Sequence, residues 1–297
     1  MSDLSVRPGF TGNAVRPEIR REPRPATEFG LVERQLTPWE RAWGSSAVRK
    51  ALILVALALI WQAYGLYVGN DLLFPTFGQT VDAVIAGFAT GELPLRIWGS
   101  LKVLLVGYGI GIALAGLLTV LAIGTRIGED LMVLLSSMFS PLPAIALLPL
   151  ALIWFGLGNA SLVFVLVHSV LWAVALNTFS GFRSTSTTLR MVGRNYGLKG
   201  WGFVSQILVP AALPSIVTGL KIGWAFAWRT LIAAEMVFGV SSGSGGLGWF
   251  IFQSKNMLDI PAVFAGLLAV IVIGLFVEGV LFKALEDRTI RRWAMAS

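Results

Sequence analysis

The long apolar runs of this sequence contain charged side chains, among them Lys221, Arg229, Glu235 and Glu278. A charged group in lipid is costly, so such residues usually carry a function or meet a partner. Six residues separate Arg229 from Glu235, which turns them about 120° apart on one helix, so they should not pair within it. Because a guanidinium offers two parallel donors to a carboxylate, nitrate or sulfonate, Arg229 is a candidate for attracting an anion. The alternative is an ion pair between helices, with Glu278 or with Glu235 of a partner chain.

The single histidine of the chain, His168, lies in another apolar run, close to Asn177. One imidazole without neighbouring carboxylates or thiols does not indicate a metal site, and the chain has no cysteine to supply one. His168 is therefore interpreted as a packing residue between helices or, alternatively, as part of a pathway wall. With Arg229 and Glu235, these two residues form the candidate set of intramembrane polar groups.

Two sequence tests argue against an enzyme. Residues 239–243 match the GxSxG pattern of hydrolase nucleophiles, but that pattern needs a strand before it, whereas an apolar helix precedes it here. An ATP-binding P-loop needs a glycine directly before its lysine, and no lysine in this chain follows a glycine. No cofactor is expected on this chain, and an intramembrane hydrolase is a remote alternative.

The composition indicates a protein that crosses a membrane several times. Of 297 residues, 56% are hydrophobic and 13% are charged, which is too little charge to cover a soluble domain. The net charge of +7 lies between the apolar runs, where it orients spans and does not indicate nucleic-acid binding. A bilayer core requires about 20 apolar residues per helix. The sequence therefore predicts an all-α fold with membrane spans over residues 51–68, 101–123, 131–153, 157–179, 206–238 and 262–285.

The prolines refine this prediction for the third span. Pro141, Pro143 and Pro149 each remove a backbone donor, so they should break or kink the helix. The fifth span is longer than a bilayer requires, so it is expected to tilt strongly or to extend into water.

The distribution of Lys and Arg predicts the orientation of the spans. Cations are frequent in the N-terminal segment, after the fourth span and after the sixth, whereas residues 69–99 and 239–261, interpreted as loops, carry few. Both termini are therefore expected in the cytoplasm. Residues 1–50 are rich in Arg, Pro and Glu and predict a disordered tail. The expected organisation is that tail, a first span at 51–68, a core at 95–286 and a C-terminal tail at 287–297.

A cationic segment at residues 183–205 follows the fourth span. Its Ser and Thr residues at 184–188 can cap a short helix, and Gly197 with Gly200 can end it. A short helix with cationic and apolar side chains suits a groove of another protein, although a loop that only orients the spans is the alternative. The residues expected to contact such a partner are Arg190, Met191, Val192, Gly193, Arg194, Asn195, Tyr196, Gly197 and Lys199.

Several motifs in fixed order carry a family resemblance. They are VPAALP at 209–214, SPLPAIALLPLALIWFGLGN at 140–159, LNTFSGFR at 176–183, LIAAEMVFG at 231–239 and GSGGLGWFI at 243–251. Together they resemble the inner-membrane permease subunits of ABC importers of the nitrate, sulfonate and taurine class, whose cytoplasmic loop ends in a glycine and a hydrophobic-Leu-Pro sequence. This chain departs from the family loop at Met191, Val192 and Gly193, where Glu followed by small residues is usual.

The resemblance implies a type I ABC importer permease bundle of about six transmembrane helices in the cell inner membrane. It implies two permease copies, which we expect to be identical, two ATP-binding subunits that carry ATP and Mg, and a periplasmic or extracellular solute-binding protein. It also implies that the segment 183–205 couples the permease to the ATPase. A glycine-rich loop on the periplasmic side, in which glycines would let the chain reshape around a gate, contains Gly243, Gly245, Gly246 and Gly248. A stand-alone secondary transporter is the alternative, but it would favour inverted repeats and a self-contained coupling site.

Overall fold

The structure is a computed structural model that describes residues 37–238 and 245–289. These residues form helices and no β-strand. The helices are α1 (Pro38–Gly44), α2 (Ser46–Val68), α3 (Phe77–Ala89), α4 (Glu92–Gly124), α5 (Arg126–Phe139), α6 (Leu148–Phe155), α7 (Asn159–Arg183), α8 (Thr187–Asn195), α9 (Gly200–Phe203), α10 (Val209–Phe238), α11 (Leu247–Asn256), α12 (Ile260–Phe276) and α13 (Lys283–Thr289). A 3₁₀ turn (Ala144–Leu147) precedes α6, and π-helical segments (Val204–Leu208 and Val277–Phe282) precede α10 and α13.

The chain divides into two compact units, residues 1–54 and 55–297. The described part of the first unit contains α1 and the beginning of α2. Within it, Arg49 donates to the carbonyl of Trp43 at 2.6 Å, and the rings of Trp39 and Trp43 stack. The second unit contains the remaining helices and all candidate site residues.

Five helices of the described residues are long and apolar enough to cross a membrane. They are Ser46–Val68, Glu92–Gly124, Asn159–Arg183, Gly200–Val237 and Ile260–Thr289. A sixth crossing is possible if α5 and the segment Ala144–Phe155 act as one span, although they are bent by 87°. The break lies at Ser140–Pro143, which confirms the disruption predicted from the prolines, because Pro141 and Pro143 cannot donate helical hydrogen bonds.

Two helices occupy segments that the sequence analysis interpreted as loops. Helix α3 lies within residues 69–99 and packs against α4 and α12, and α11 lies within residues 239–261 and packs against α4, α10 and α12. The start of α3 is a capping box, in which Thr76 and Gln79 satisfy each other's backbone amides. The interpretation as loops was wrong because both helices are too short to register as spans.

Helix α7 lies between α4 and α10 and is the most buried of the spans. Glycines allow the close approach on both sides. A Cβ on Gly107 of α4 would lie 2.7 Å from Leu166, and a Cβ on Gly219 of α10 would lie 2.9 Å from the Cβ of Asn177. Small residues thus allow these helices to pack closely within this chain, and this packing fixes the face of α10 that carries Arg229.

Candidate solute cavity and coupling segment

A cavity of about 550 Å³ lies between the proline-rich break after α5, helix α7 and helix α10. The break contributes the residues around Pro141 and Pro143, which no helix could place there without the bend. Apolar side chains form most of the wall. The polar side chains are Ser140, His168, Ser169, Asn177, Arg229 and Thr230. The structure therefore brings together His168, Asn177 and Arg229, which are three of the four candidate intramembrane polar groups.

Arg229 brings a cation into this cavity. Its Nε donates to the carbonyl of Ala225 at 3.0 Å, and its guanidinium carbon lies 5.2 Å from the centre of the Phe226 ring. No carboxylate of the described residues forms an ion pair with it, and neither Nη atom has a hydrogen-bond partner there. Four N–H donors and a full charge are therefore available to a ligand.

His168, Trp172 and Asn177 of α7 line the cavity. The ring nitrogens of His168 and the indole N–H of Trp172 are buried without a hydrogen bond of standard geometry among the described residues, although the backbone of Phe139 lies near the imidazole. Trp172 stacks on Phe139 with ring centres 5.9 Å apart. Asn177 donates to the carbonyl of Ala173 at 2.7 Å. His168 packs against Trp172 and also lines the cavity, and its place in a pathway wall stays a prediction.

Glu235 does not line this cavity. It is 5% exposed, and its carboxylate accepts hydrogen bonds from the Ser100 hydroxyl at 2.8 Å and from the Gly248 amide at 2.9 Å. It therefore joins α10 to α4 and to the beginning of α11. The prediction that Arg229 and Glu235 do not pair within their helix is confirmed, and Glu235 lies apart from the candidate residues that line the cavity. The turn of about 120° between them sends one side chain to the cavity and the other into the packed interior.

The glycine-rich segment before α11 also packs around Glu235. Gly243 lies outside the described residues. Arg96 donates to the carbonyl of Gly245 at 3.0 Å. A Cβ on Gly246 would collide with the Glu235 carboxylate and the Ser100 hydroxyl. At Gly248 a Cβ would lie 2.7 Å from the Cβ of Glu235. Close approach requires glycine at the latter two positions, and the reshaping of this loop around a gate stays a prediction.

The predicted short helix in the segment after α7 is confirmed as α8. The hydroxyl of Ser186 caps its first turn by accepting from the amide of Leu189. At its end Gly197 has a φ of +75°, and the amides of Gly197 and Leu198 donate to the carbonyls of Arg194 and Gly193. This is the Schellman motif, in which glycine adopts the left-handed conformation at little cost.

Arg190 and Arg194 have different surroundings, although a spacing of four residues directs both side chains to one face of α8. Arg190 donates to the carbonyls of Phe182 at 2.6 Å and Thr185 at 3.3 Å, so it holds α8 to the end of α7. Arg194 is exposed. The guanidinium of Arg190 thus satisfies carbonyls that the end of α7 leaves free, and its contact with a partner stays a prediction.

The exposed surface of the segment at residues 183–205 is apolar as well as cationic. Met191 is 63% exposed, Tyr196 is 82% exposed and Trp201 is 70% exposed. Val192, Asn195 and Lys199 are also exposed, whereas Gly193 is buried against Phe203 and Ile207. Trp201 was missed in the sequence because α9 is only one turn long and its tryptophan reads equally well as an interfacial anchor.

Comparison with known proteins matches residues 107–291 to the inner-membrane component of binding-protein-dependent transport systems. The chain belongs to this family. It is 31% identical over 240 residues to an ABC transporter permease protein of Methanocaldococcus jannaschii, with 79% of this chain and 88% of the relative covered. It is 28% identical over 250 residues to an aliphatic sulfonate transport permease of Bacillus subtilis, covering 82% and 87%. It is 27% identical over 252 residues to a nitrate import permease of Synechocystis, covering 82% and 90%.

These findings confirm the resemblance inferred from the motifs, and they confirm the fold as an all-α, type I ABC permease. The relatives are transport permease subunits. The family match begins within α4 and ends after α13, so it contains the residues that line the cavity and the segment at 183–205.

Proposed function

We propose that this chain forms the membrane pathway of an ATP-driven importer for a small anion such as an alkanesulfonate, taurine or nitrate. The observation that carries the proposal is the guanidinium of Arg229, which faces the 550 Å³ cavity without an ion-pair partner among the described residues. In a low-dielectric passage a fixed cation lowers the free energy of an anion, while a single charge still permits release. His168 and Asn177 supply further polar groups to the same wall.

ATP and Mg act on two separate ATP-binding subunits in this proposal, and α8 receives their movement. The exposed side chains of Met191 and Tyr196 would enter a groove of the ATPase. Helix α8 is tied to the bundle by the Arg190 bonds to α7 and by the packing of Gly193 on Ile207, in the segment that leads into α10. Because α7 and α10 also line the cavity, a displacement of α8 is carried to the solute site.

The remaining partners follow from the family and the order of the helices. A second, identical copy of the permease would complete the pathway, and a solute-binding protein would deliver the anion. Helix α8 follows α7 and helix α11 follows α10, so alternating spans place them at opposite membrane faces. With α8 in the cytoplasm and the bent pair of α5 and Ala144–Phe155 counted as the sixth crossing, both termini would be cytoplasmic and the α11 side would receive the solute-binding protein. Residues 1–50 and 287–297 are cytoplasmic tails of the core at 95–286 in this arrangement.

The test is Arg229→Gln in proteoliposomes that contain the complete transporter, with labelled taurine, nitrate and methanesulfonate as probes. Loss of one charge-assisted contact predicts uptake reduced by about tenfold or more, with assembly and thermal stability unchanged. Lys102→Gln is the matched control, because Lys102 also lies over an aromatic ring but outside the cavity. A stable complex with full uptake rejects the proposed role, and an unstable one assigns Arg229 to helix packing.

A further inference from the structure

The last helix consists of α12, the π-helical segment Val277–Phe282 and α13. It forms an ion pair with α10 at one point of their contact. Lys221 of α10 forms an ion pair with Glu286 of α13, with Nζ and Oε1 2.8 Å apart. Further along the same contact, the ring of Trp224 meets Phe282, and Trp228 lies beside Gly274. The positions at which the last helix contacts α10, namely Gly274, Phe282 and Glu286, are therefore spaced by multiples of four residues.

Glu278 lies on this stripe, midway between Phe282 and Gly274, within the π-helical segment Val277–Phe282. Short π-helical segments are frequent at functional sites. Glu278 lines a crevice of about 210 Å³ between the two helices, and Arg229 lines the same crevice.

Arg229 therefore borders two spaces, the 550 Å³ cavity and the 210 Å³ crevice that contains Glu278. Its side chain runs back toward the start of α10, where Nε bonds to the carbonyl of Ala225. Ala225 also lines the crevice. Even so, the described residues show no ion pair between Arg229 and Glu278. Arg229 and Glu278 thus line one crevice without forming an ion pair in this conformation.

We propose that Glu278 competes with the transported anion for Arg229, taking up the guanidinium when the anion leaves. This inference rests on the proposed function, because it requires an anion at Arg229. A permease must bind its solute weakly enough to release it, and a neighbouring carboxylate provides that weakness. The apparent affinity equals the intrinsic affinity multiplied by the fraction of molecules in which Arg229 is free of Glu278.

The experiment measures equilibrium binding of labelled methanesulfonate to the purified complex of permease and ATPase, together with uptake turnover in proteoliposomes. Glu278→Gln should bind the probe on the order of tenfold more tightly, because Arg229 is no longer occupied by the carboxylate. Its turnover at saturating probe should fall, because release is slower. Glu278→Asp, whose carboxylate reaches less far, should give an intermediate affinity and retains the charge if the amide variant assembles poorly.

A double-mutant cycle separates competition from a general electrostatic effect. Arg229→Gln should weaken binding, and Arg229→Gln combined with Glu278→Gln should equal Arg229→Gln alone, because no guanidinium remains to compete for. Glu286→Gln is the matched control on the same helix. It removes the carboxylate that pairs with Lys221, and it should leave the affinity for the probe unchanged.

The outcomes distinguish this inference from the function on which it rests. If Glu278→Gln binds as the wild type does, or if the two variants act additively, the inference is overturned while the anion pathway stands. If Arg229→Gln binds and transports as the wild type does, the proposed function fails and the inference fails with it. The absence of probe binding in both the wild type and Glu278→Gln likewise overturns the competition.

Discussion

The hydroxyl of Ser100 donates to the buried carboxylate of Glu235 across 2.8 Å, and the same hydroxyl accepts from the amide of Leu247 at 2.8 Å. Glu235 in turn accepts from the amide of Gly248. The first two amides of α11 are thus satisfied by side chains of α4 and α10, and a carboxylate lies at the positive end of the helix. This junction ties three helices together on the side of the bundle where α10 ends.

Replacing Ser100 with Ala should destabilise this junction. The substitution leaves the amide of Leu247 without its acceptor and removes the hydroxyl donor of Glu235, in a region where water is excluded. We expect a loss of about 1–3 kcal/mol in the free energy of unfolding. Thermal unfolding of the purified protein checks this. Ser137→Ala is the control, since that exposed hydroxyl bonds only within its own helix and its loss should stay within about 0.5 kcal/mol.

Gly248→Ala should disturb the same junction by crowding. The added methyl would meet the carbonyl of Ile232 and the Cβ of Glu235, and neither neighbour can move without shifting α10. Overpacking of this kind costs about 1–3 kcal/mol. Gly116→Ala is the comparison, because nothing lies within 4 Å of that position. Equal thermal stability of the two variants would show that α10 and α11 can shift apart at little cost to accommodate the added methyl group.

Arg229 and Glu235 of α10 show what the sequence could and could not predict. Spacing alone separated Arg229 from Glu235, because helical geometry fixes their relative direction. Which of the two faces the cavity depends on Gly219, which packs the helix on α7, and that choice is a property of tertiary contacts. The proline break was predictable because each proline removes a backbone donor from its own helix, whatever that helix packs against. Helix α11 was not, because Ser100 and Glu235, which stabilise its beginning, are distant in sequence.

Arg190→Gln and Arg194→Gln should differ, although both remove one charge from α8. Arg190 holds two carbonyls at the end of α7, so its replacement should lower the free energy of unfolding by about 1–3 kcal/mol. Arg194 is exposed, and its replacement should change stability by less than about 0.5 kcal/mol. Thermal unfolding of the purified permease measures both. Identical losses would contradict the separate roles assigned to the two arginines.

Gly197→Val should uncouple ATP hydrolysis from uptake while the protein still inserts into the membrane. Nothing lies within 4 Å of the position, so the effect comes from the backbone φ of +75°, which a β-branched residue adopts at high cost. Gly197→Asn is the matched control, because Asn tolerates the left-handed conformation. ATPase activity and uptake are measured together in proteoliposomes. Normal uptake by the Val variant would remove the end of α8 from the coupling mechanism.

Both termini should lie in the cytoplasm, because every cation-rich segment then falls on one side of the membrane. The chain has no cysteine, so single cysteines at Ser46, Thr90 and Ser297 are labelled against a clean background. Thr90 is exposed at the end of α3, whereas Ser297 lies outside the described residues. In intact cells an impermeant thiol reagent should label the cysteine at Thr90 and spare the other two, and permeabilised cells should label all three. Labelling of the terminal pair with protection of Thr90 would reverse the orientation and place α8 on the outer face, where no ATPase can reach it.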